Sequence, residues 1–468
     1  MPERILFLTG KLAEKSLNRV LDQMQPAEFT YQVLNIGISV AGLMTADFIT
    51  RRLPSAGECT RIMVPGRCRG DLDALADRYG VPVVRGPDEL KDLPMYFGRS
   101  DASKDLGRYD VRIFAEIVDA PQLSIEQILQ RAENYRNDGA DVIDLGCLPD
   151  TPFQRLEEAV TALKASGYRV SVDSVIPEEL LRGGKAGADF LLSLTEDTLW
   201  VAEEVDSTPV LIPLQSGDLA SLERAMKKMG ERKRSFIADP VLDPIHIGFV
   251  DSLVRYYQLR QRHPEAEIMM GVGNLTELTD ADTTGINALL MGIVSELHIT
   301  NILTTEVSPH ARCAVRETDV ARRIMYAARE AASLPRDFSS ELLTVHARKP
   351  FPDTPEEIAE LAGAIKDPSY RIQVSERGVH IYNRDGLHVA TDPFALFPLL
   401  NLENDAAHAF YLGVELARAQ IAWQLAKRYS QDEELDWGCA VKHKLEDLKK
   451  QRAPGTTLEV VKKKAKNK

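Results

Sequence analysis

No stretch of this chain reaches the roughly 18 consecutive apolar residues that a membrane-spanning helix requires, and this excludes a helical integral membrane protein. The opening MPERILFLTG has an acidic residue and then a strand-like run, so a cytoplasmic location with no membrane partner is expected. Cysteine is scarce. The five present, Cys59, Cys68, Cys147, Cys313 and Cys439, are odd in number and scattered, with no CxxC spacing, which argues against a disulfide framework or a thiolate zinc site. Basic charge is in deficit, with 57 Lys and Arg against 70 Asp and Glu and a net charge of -13. Broad nucleic-acid binding draws most of its affinity from basic surface and is therefore excluded. The one basic run, the terminal KKKAKNK, reads as a solvated tail. No repeat longer than a strand–helix period occurs.

What is present is the balance of a folded protein, 44% hydrophobic and 27% charged over 468 residues, enough for roughly two to four domains. Residues 1–100 alternate short apolar runs (ILFLT at 5–9, YQVLNIG at 31–37, RIMVPG at 61–66, VPVVRG at 81–86) with helical patterns. This predicts a small α/β domain of Rossmann or flavodoxin-like type. The loop Thr9-Gly10-Lys11 lacks the glycine spacing of a nucleotide loop and reads as a tight strand-to-helix turn. A polar segment at 96–110 follows.

Between 111 and 334 one theme repeats: a β-branched run ending in a polar residue or glycine, then a longer helical stretch. Eight runs fit, at 111–118, 141–146, 169–174, 190–194, 209–214, 236–241, 267–274 and 296–303, with a closing helix at about 317–331. Strands that alternate with helices pair in parallel, and eight of them predict a closed (β/α)8 TIM barrel. After Pro335 the texture changes. The segment 370–391 alternates apolar and polar residues and is cut at Glu376-Arg377-Gly378 and Arg384-Asp385-Gly386, predicting a three-stranded meander. A helix is predicted within 404–429, giving an α+β domain over 335–445 and a basic tail over 446–468.

Active sites of such barrels lie at the C-terminal ends of the strands. Here the predicted ends carry Asp144, Asp173, Ser193, Asp239 and Asn274, with the eighth strand ending near Asn301. Ionised carboxylates only accept hydrogen bonds, so a ring of them suits the edge of a flat heterocycle rich in N–H donors. Strand-end aspartates can also cap the following helix; two of them would have to be explained that way at once.

The block YRVSVDSVIPEELLRGGKAGADFLLSL resembles the strand-three and strand-four region of dihydropteroate synthases and of pterin-dependent corrinoid methyltransferases, and NDGADVIDLG and FIADP are similar to two further blocks of that superfamily. The resemblance implies a pterin-binding barrel in which Asp173 and Asp239 hold the pterin ring and Asp144 joins them. Ser193 stands where the relatives usually have asparagine. The synthase strand-seven motif resembles Gly-Leu-Ser-Arg-Lys, whereas this chain reads Met270-Gly271-Val272-Gly273-Asn274; the lysine is missing, and Asn274 matches the methyltransferases better. The Arg-x-His motif of strand eight has no counterpart in NILTTEVSPHAR, although His310 and Arg312 follow.

The three-part arrangement, and above all the block from YRIQVSERGVHIYNRDGLHVATDPFALFPLL to LDWGCAV, resembles dihydropteroate synthase-related proteins of organisms that make tetrahydromethanopterin. That implies a transferase condensing a dihydropterin-6-methyl pyrophosphate with an arylamine, a ribofuranosylaminobenzene phosphate. Mg2+ is expected on the pyrophosphate, with His246, His310 and Arg312 as loop donors and the pterin as substrate. A methyltransferase using a methyl-tetrahydropterin and a noncatalytic pterin-binding protein are the alternatives, and a homodimer is expected by the same resemblance. Asn383, Asp385 and His388 read as turn and cross-strand chemistry, and His408, Tyr411 and Glu415 as one packing face of a helix.

Overall fold

The computed structural model describes residues 3–97 except 26 and 89, residues 105–442 except 150, 403 and 404, and residues 448–449. The expected basic tail lies outside the described residues apart from those last two. The chain divides into two compact units, one built from 1–103, 345–436 and 442–468, the other from 104–344 and 437–441.

In the first unit, β1 (Glu3–Thr9), β2 (Phe29–Asn35), β3 (Arg61–Val64) and β4 (Val83–Arg85) form a parallel sheet in the order β2-β1-β3-β4. β1 is apolar without interruption from Ile5 to Leu8 because both its faces are covered. Leu6 and Leu8 pack with Ile49, Ile62 and Val64 on one side, and Ile5 and Phe7 with Leu17, Leu21 and Met63 on the other. At Gly10 an added Cβ would lie 2.9 Å from Ala41 N and Ile38 O, so the Thr9-Gly10-Lys11 loop is a tight turn pressed against the chain after β2. From the same unit's later segment, the helix Pro355–Ala364 opens with a Thr354/Glu357 capping box, and its Ile358 and Ala362 pack with Tyr382 against Leu12. Ion pairs Lys15–Glu360 and Arg428–Asp92 join the same two segments.

The second unit is the barrel. Its strands carry the labels β5 (Arg112–Ile117), β6 (Val142–Gly146), β7 (Val170–Asp173), β8 (Phe190–Leu194), β9 (Thr208–Leu211), β10 (Ile237–Ala238), β11 (Met269–Gly271) and β12 (Asn301–Thr305). They run in parallel in the order β10-β9-β8-β7-β6-β5-β12-β11, and a bridge between Ala238 and Ile268 joins the two ends of that order into a ring. Helices between successive strands cover the outside. Strand alternation splits the apolar residues in two: Ile113, Ala115, Ile143 and Val172 face the helices, while Phe114, Val142, Phe190, Leu192, Val210, Ile237 and Met269 fill the interior as a plug. Phe114 and Phe190 meet edge-on, their centroids 4.9 Å apart.

Seven of the eight expected runs coincide with a strand, and the eighth is displaced. The helix Thr283–Glu296 runs through the predicted start, His298 takes a left-handed φ of 49°, and β12 begins only at Asn301. Asn301 therefore stands at the amino-terminal end of its strand, where its Oδ1 accepts from Arg112 Nε at 2.7 Å, and it is no part of the mouth. The closing helix, Ala314–Glu330, carries Arg322, which is buried and reaches back to Asp141, Val111 O and Gly139 O.

In the C-terminal segment β13 (Arg371–Ser375), β14 (Gly378–Asn383) and β15 (Gly386–Ala390) form the predicted antiparallel meander. Asn383 Oδ1 accepts from Asp385 N at 2.7 Å, the turn chemistry expected there. The helix Ala406–Gln424 follows, capped by Asp405, and Glu415 is buried against the Tyr429 hydroxyl.

Candidate active site

Each interior strand of the barrel carries its plug residue and then, two positions further along the chain, a residue on the same face nearer the C-terminal end. Phe114 is followed by Glu116, Val142 by Asp144, and Ile237 by Asp239. In β7 the register sets Ser171 beside Asp144 and Asp173 beside Gly146. The apolar plug thus gives way to a layer of carboxylates, and one oxygen from each of Glu116, Asp144 and Asp173 lies within 4.8 Å of the other two. Among the described residues these three form the group of candidate ligand side chains that lie close enough together to share an ion.

Asp144 is fully buried. Its Oδ1 accepts from the Ser171 hydroxyl, and its Oδ2 has no hydrogen-bond partner. Burial, then repulsion from Asp173 and Glu116, pushes the Asp144 carboxyl well above the usual range. Burial and Glu116 do the same to Asp173, and burial and Glu277 to Glu116. Ser171 is the side-chain donor to this group among the described residues.

Asp239 sits differently. Its Oδ1 accepts from the Tyr256 hydroxyl and from Val241 N, each at 2.7 Å. Burial raises its pKa to about 6, against the lowering effect of those two donors and of Arg255. The loop that follows is pinned by Arg255, which donates to Pro240 O, Val241 O and Asp243 Oδ2, the last at 2.6 Å. Val241 holds φ at 66°, a left-handed conformation that a β-branched residue rarely adopts, and strain of this kind concentrates at functional sites.

The other predicted residues divide. Ser193 is half-buried in β8, next to the register step between Leu192 and Leu194, and the Leu192–Ser193 peptide is cis. Asn274 is exposed after β11, and its Nδ2 donates to Leu242 O at 2.8 Å, tying together the loops after β10 and β11. His310 Nε2 lies 3.0 Å from Thr276 O and ties the loops after β11 and β12. His246, at a φ of 67°, and Arg312 are exposed. Among the described residues no hydrogen bond or ion pair links His246, His310 or Arg312 to the carboxylates.

Two site residues are absent from the sequence-based set. Glu116 is half-buried at the end of β5. Glu277 accepts from Thr305 Oγ1, Val307 N and Ser308 N at 3.1, 2.9 and 2.8 Å; it is desolvated, but these donors outweigh burial and hold its carboxyl below the usual value. Face parity within the run VRIFAEIV would have found Glu116. No comparable signal marks Glu277.

Fold and site together define a closed parallel (β/α)8 barrel with buried carboxylates layered above an apolar plug. Residues 3–88, outside the barrel, match a family of unknown function, DUF6513. An uncharacterized protein of Methanocaldococcus jannaschii is 25% identical and is matched over 92% of this chain and 99% of its own length. Among solved structures, the chain is similar to a dihydropteroate synthase of Yersinia pestis bound to a pterin–sulfa conjugate, with 20% identity over 48% of this chain and 95% of that one and a TM-score of 0.37. It is also similar to the dihydropteroate synthase of Thermus thermophilus in complex with 6HMPPP, at 20% identity, 48% and 95% coverage and a TM-score of 0.38.

Proposed function

We propose that the barrel is a pterin-utilising transferase of the dihydropteroate synthase type. The observation that carries this reading is the set of carboxylates on the interior face above the plug, Asp144 buried and Asp173 and Asp239 half-buried. Acceptors of this kind call for a ligand that brings its own N–H donors, and a pterin edge does so. Asp173 and Asp239 would hold that edge.

The finer reading is condensation of a dihydropterin-6-methyl pyrophosphate with an arylamine of tetrahydromethanopterin synthesis. The bond between the methylene carbon and the pyrophosphate oxygen breaks, the electron pair leaves with pyrophosphate, and the amine nitrogen attacks the carbon and then loses a proton. Asp239, ionised above its pKa of about 6, would stabilise the positive charge developing on the pterin methylene, a contribution commonly worth several kcal/mol, on the order of 3, in a water-poor site, while Asp173, whose pKa burial raises to about 8, would hold the ring edge. Mg2+ bound to the pyrophosphate would neutralise the leaving group. His246 and Arg312, both exposed, are the proposed loop donors, while His310 serves by holding its loop on Thr276.

Asn274 supports a second reading, transfer of a methyl group from a methyl-tetrahydropterin, because it stands after β11 where the synthase-type lysine is missing. Calorimetric titration with 6-hydroxymethyl-dihydropterin pyrophosphate and, separately, with methyl-tetrahydromethanopterin decides between them. Binding of the first, followed by pyrophosphate release on adding the arylamine, supports the synthase. Preference for the second supports the methyltransferase, and binding without turnover supports a carrier. Asp173→Asn and Asp239→Asn should each weaken pterin binding while the fold stays intact; parent-like affinity in both would remove the site from this layer.

A further inference from the structure

We infer that the exposed face of the helix Ala406–Gln424 is an interface between two copies of this chain, which pair through it antiparallel across a two-fold axis. This helix has two apolar faces. One carries the buried Leu412, Leu416, Ala419 and Ala422 and packs on β13 and β14. On the other, Ala407, Phe410, Val414, Ala417, Ile421 and Gln424 recur at alternating steps of three and four, the seam spacing of paired helices. The seam runs about 25 Å along the helix. None of the six is charged and each is exposed: Phe410 by 77%, Val414 by 38% and Ile421 by 39%. A helix that is apolar all round is normally covered on every side. More apolar surface lies next to it. The helix Pro393–Leu396, in contact with Ala406–Gln424, exposes Phe394 by 86%, and the turn that follows exposes Phe397 and Leu399.

Size and charge make the occupant a second copy. At about 200 Å2 for a whole aromatic side chain, the three phenylalanines alone leave roughly 400 Å2 of apolar surface in water, as much as the largest patch on an ordinary monomer. The aliphatic seam brings the face toward the about 800 Å2 per partner that a stable complex buries. The chain carries a net charge of -13, so two copies repel where acidic surfaces meet, and this uncharged strip is where they can touch. A basic partner would find no carboxylate on the strip. A lipid surface would call for exposed Lys or Arg along it, whereas Arg418, the single Lys or Arg of this helix, is half-buried and donates to Glu415 at 2.9 Å. Gly413 borders the seam with no heavy atom within 4 Å of where a Cβ would lie. A glycine inside a helix weakens it, and here no neighbour crowds the position; the absent side chain instead lets a second helix come close. With the two-fold axis between Val414 and Ala417, Val414 meets the partner's Ala417 and Phe410 meets the partner's Ile421. A parallel pair would set Phe410 against its own copy and Ala417 against Ala417, crowding one level and leaving a void at another.

The interface does not depend on what the barrel binds, and its test contains no pterin. Sedimentation velocity of the full chain at micromolar concentrations is expected to show a dimer. Val414→Glu and Ala417→Lys, both at exposed positions, should each sediment as monomers while keeping the parent's circular dichroism and thermal midpoint. Each variant buries unpaired charge at the seam, so its dimer dissociation constant should rise at least about a hundredfold. An equimolar mixture of the two variants should dimerise again, because antiparallel pairing sets the new carboxylate opposite the new ammonium and leaves the symmetry-related contact as it is in the parent. A monomeric parent would overturn the proposal and leave the face to the chain's own tail or to another protein. A dimer that survives both single variants would overturn it by placing the contact elsewhere, and a mixture that stays monomeric would overturn the antiparallel pairing.

Discussion

Tyr256 donates its hydroxyl to Asp239 Oδ1 at 2.7 Å from a position buried behind the barrel wall. This donor favours the ionised form of a carboxyl whose pKa burial, even against that donor, raises to about 6. In Tyr256→Phe the donor is gone and the Asp239 pKa rises further; a hydrogen bond to a charged group is worth about 1.5–3 kcal/mol, or roughly one to two pH units. Pterin affinity should then fall severalfold at pH 7 and recover toward the parent's value at pH 9. Binding isotherms at the two pH values are the check, and equal losses at both would count against the role given to ionised Asp239.

Asp239 also sets a pH dependence of stability. Its folded pKa, about 6, lies above the usual 3.8, so the folded state holds the proton more tightly than the unfolded chain does. The associated stability is fully present below 3.8 and is lost as pH rises through about 6. Its size is at most about 3 kcal/mol, and less to the extent that water reaches the group. Urea midpoints of the parent and Asp239→Asn, compared at pH 4 and pH 7.5, should show the variant gaining on the parent at the higher pH. A pH-independent difference would contradict the shift.

Gly146→Ala tests the crowding beside Glu116. The new Cβ would sit 2.5 Å from Glu116 Oε1 and 3.0 Å from Val118 Cα, and backbone cannot step aside as a side chain can. A loss of about 1–3 kcal/mol is expected, read as a lower denaturant midpoint with an unchanged slope. Alanine at the open position Gly230, where nothing lies within 4 Å, should cost far less and serves as the control.

Arg322 links the last helix of the barrel to the segment before β6. Its Nη1 donates to Asp141 Oδ2 and Val111 O, and its Nη2 to Gly139 O and Asp319 Oδ1. Arg322→Leu leaves these groups without their donor, at a cost of about 3 kcal/mol, the lower end for a broken buried pair because Asp319 keeps Arg323 and Asp141 keeps the Ile113 amide. A thermal midpoint indistinguishable from the parent's would show that the network is dispensable.

The barrel was legible because its signals are local and repeated. Each β-branched run is followed by a helical stretch, and an apolar interior needs no partner identified in advance. The displaced eighth strand shows the limit: Glu296-Leu297-His298 alternates as a strand would, but the preceding helix continues through Glu296 and its packing prevails over the local pattern. Asp173 and Asp239 were singled out by their places at predicted strand ends and by the resemblance of their blocks, and the strands do turn both toward the interior. Glu116 was passed over because it lies within an apolar run, although it shares a face with Phe114 just as Asp144 does with Val142. Glu277 could not be read at all, since its role depends on the backbone amides of Val307 and Ser308, a full strand and its loop further along the chain.

The first unit is written in the chain on both sides of the barrel, from residues 1–103 and again from 345 onward. A ribosome adding about 5–20 residues per second needs roughly 12–50 s to cross the interval. Throughout that time the nascent β1–β4 sheet has its own two cores, but Leu12 lacks the Ile358 and Tyr382 that later cover it, and Asp92 lacks Arg428. The barrel, whose strand pairings all fall within 112–305, can close during the wait. Synthesis thus imposes an order in which every strand of the barrel is made before the first unit's later segment, and that segment completes a surface made at the start.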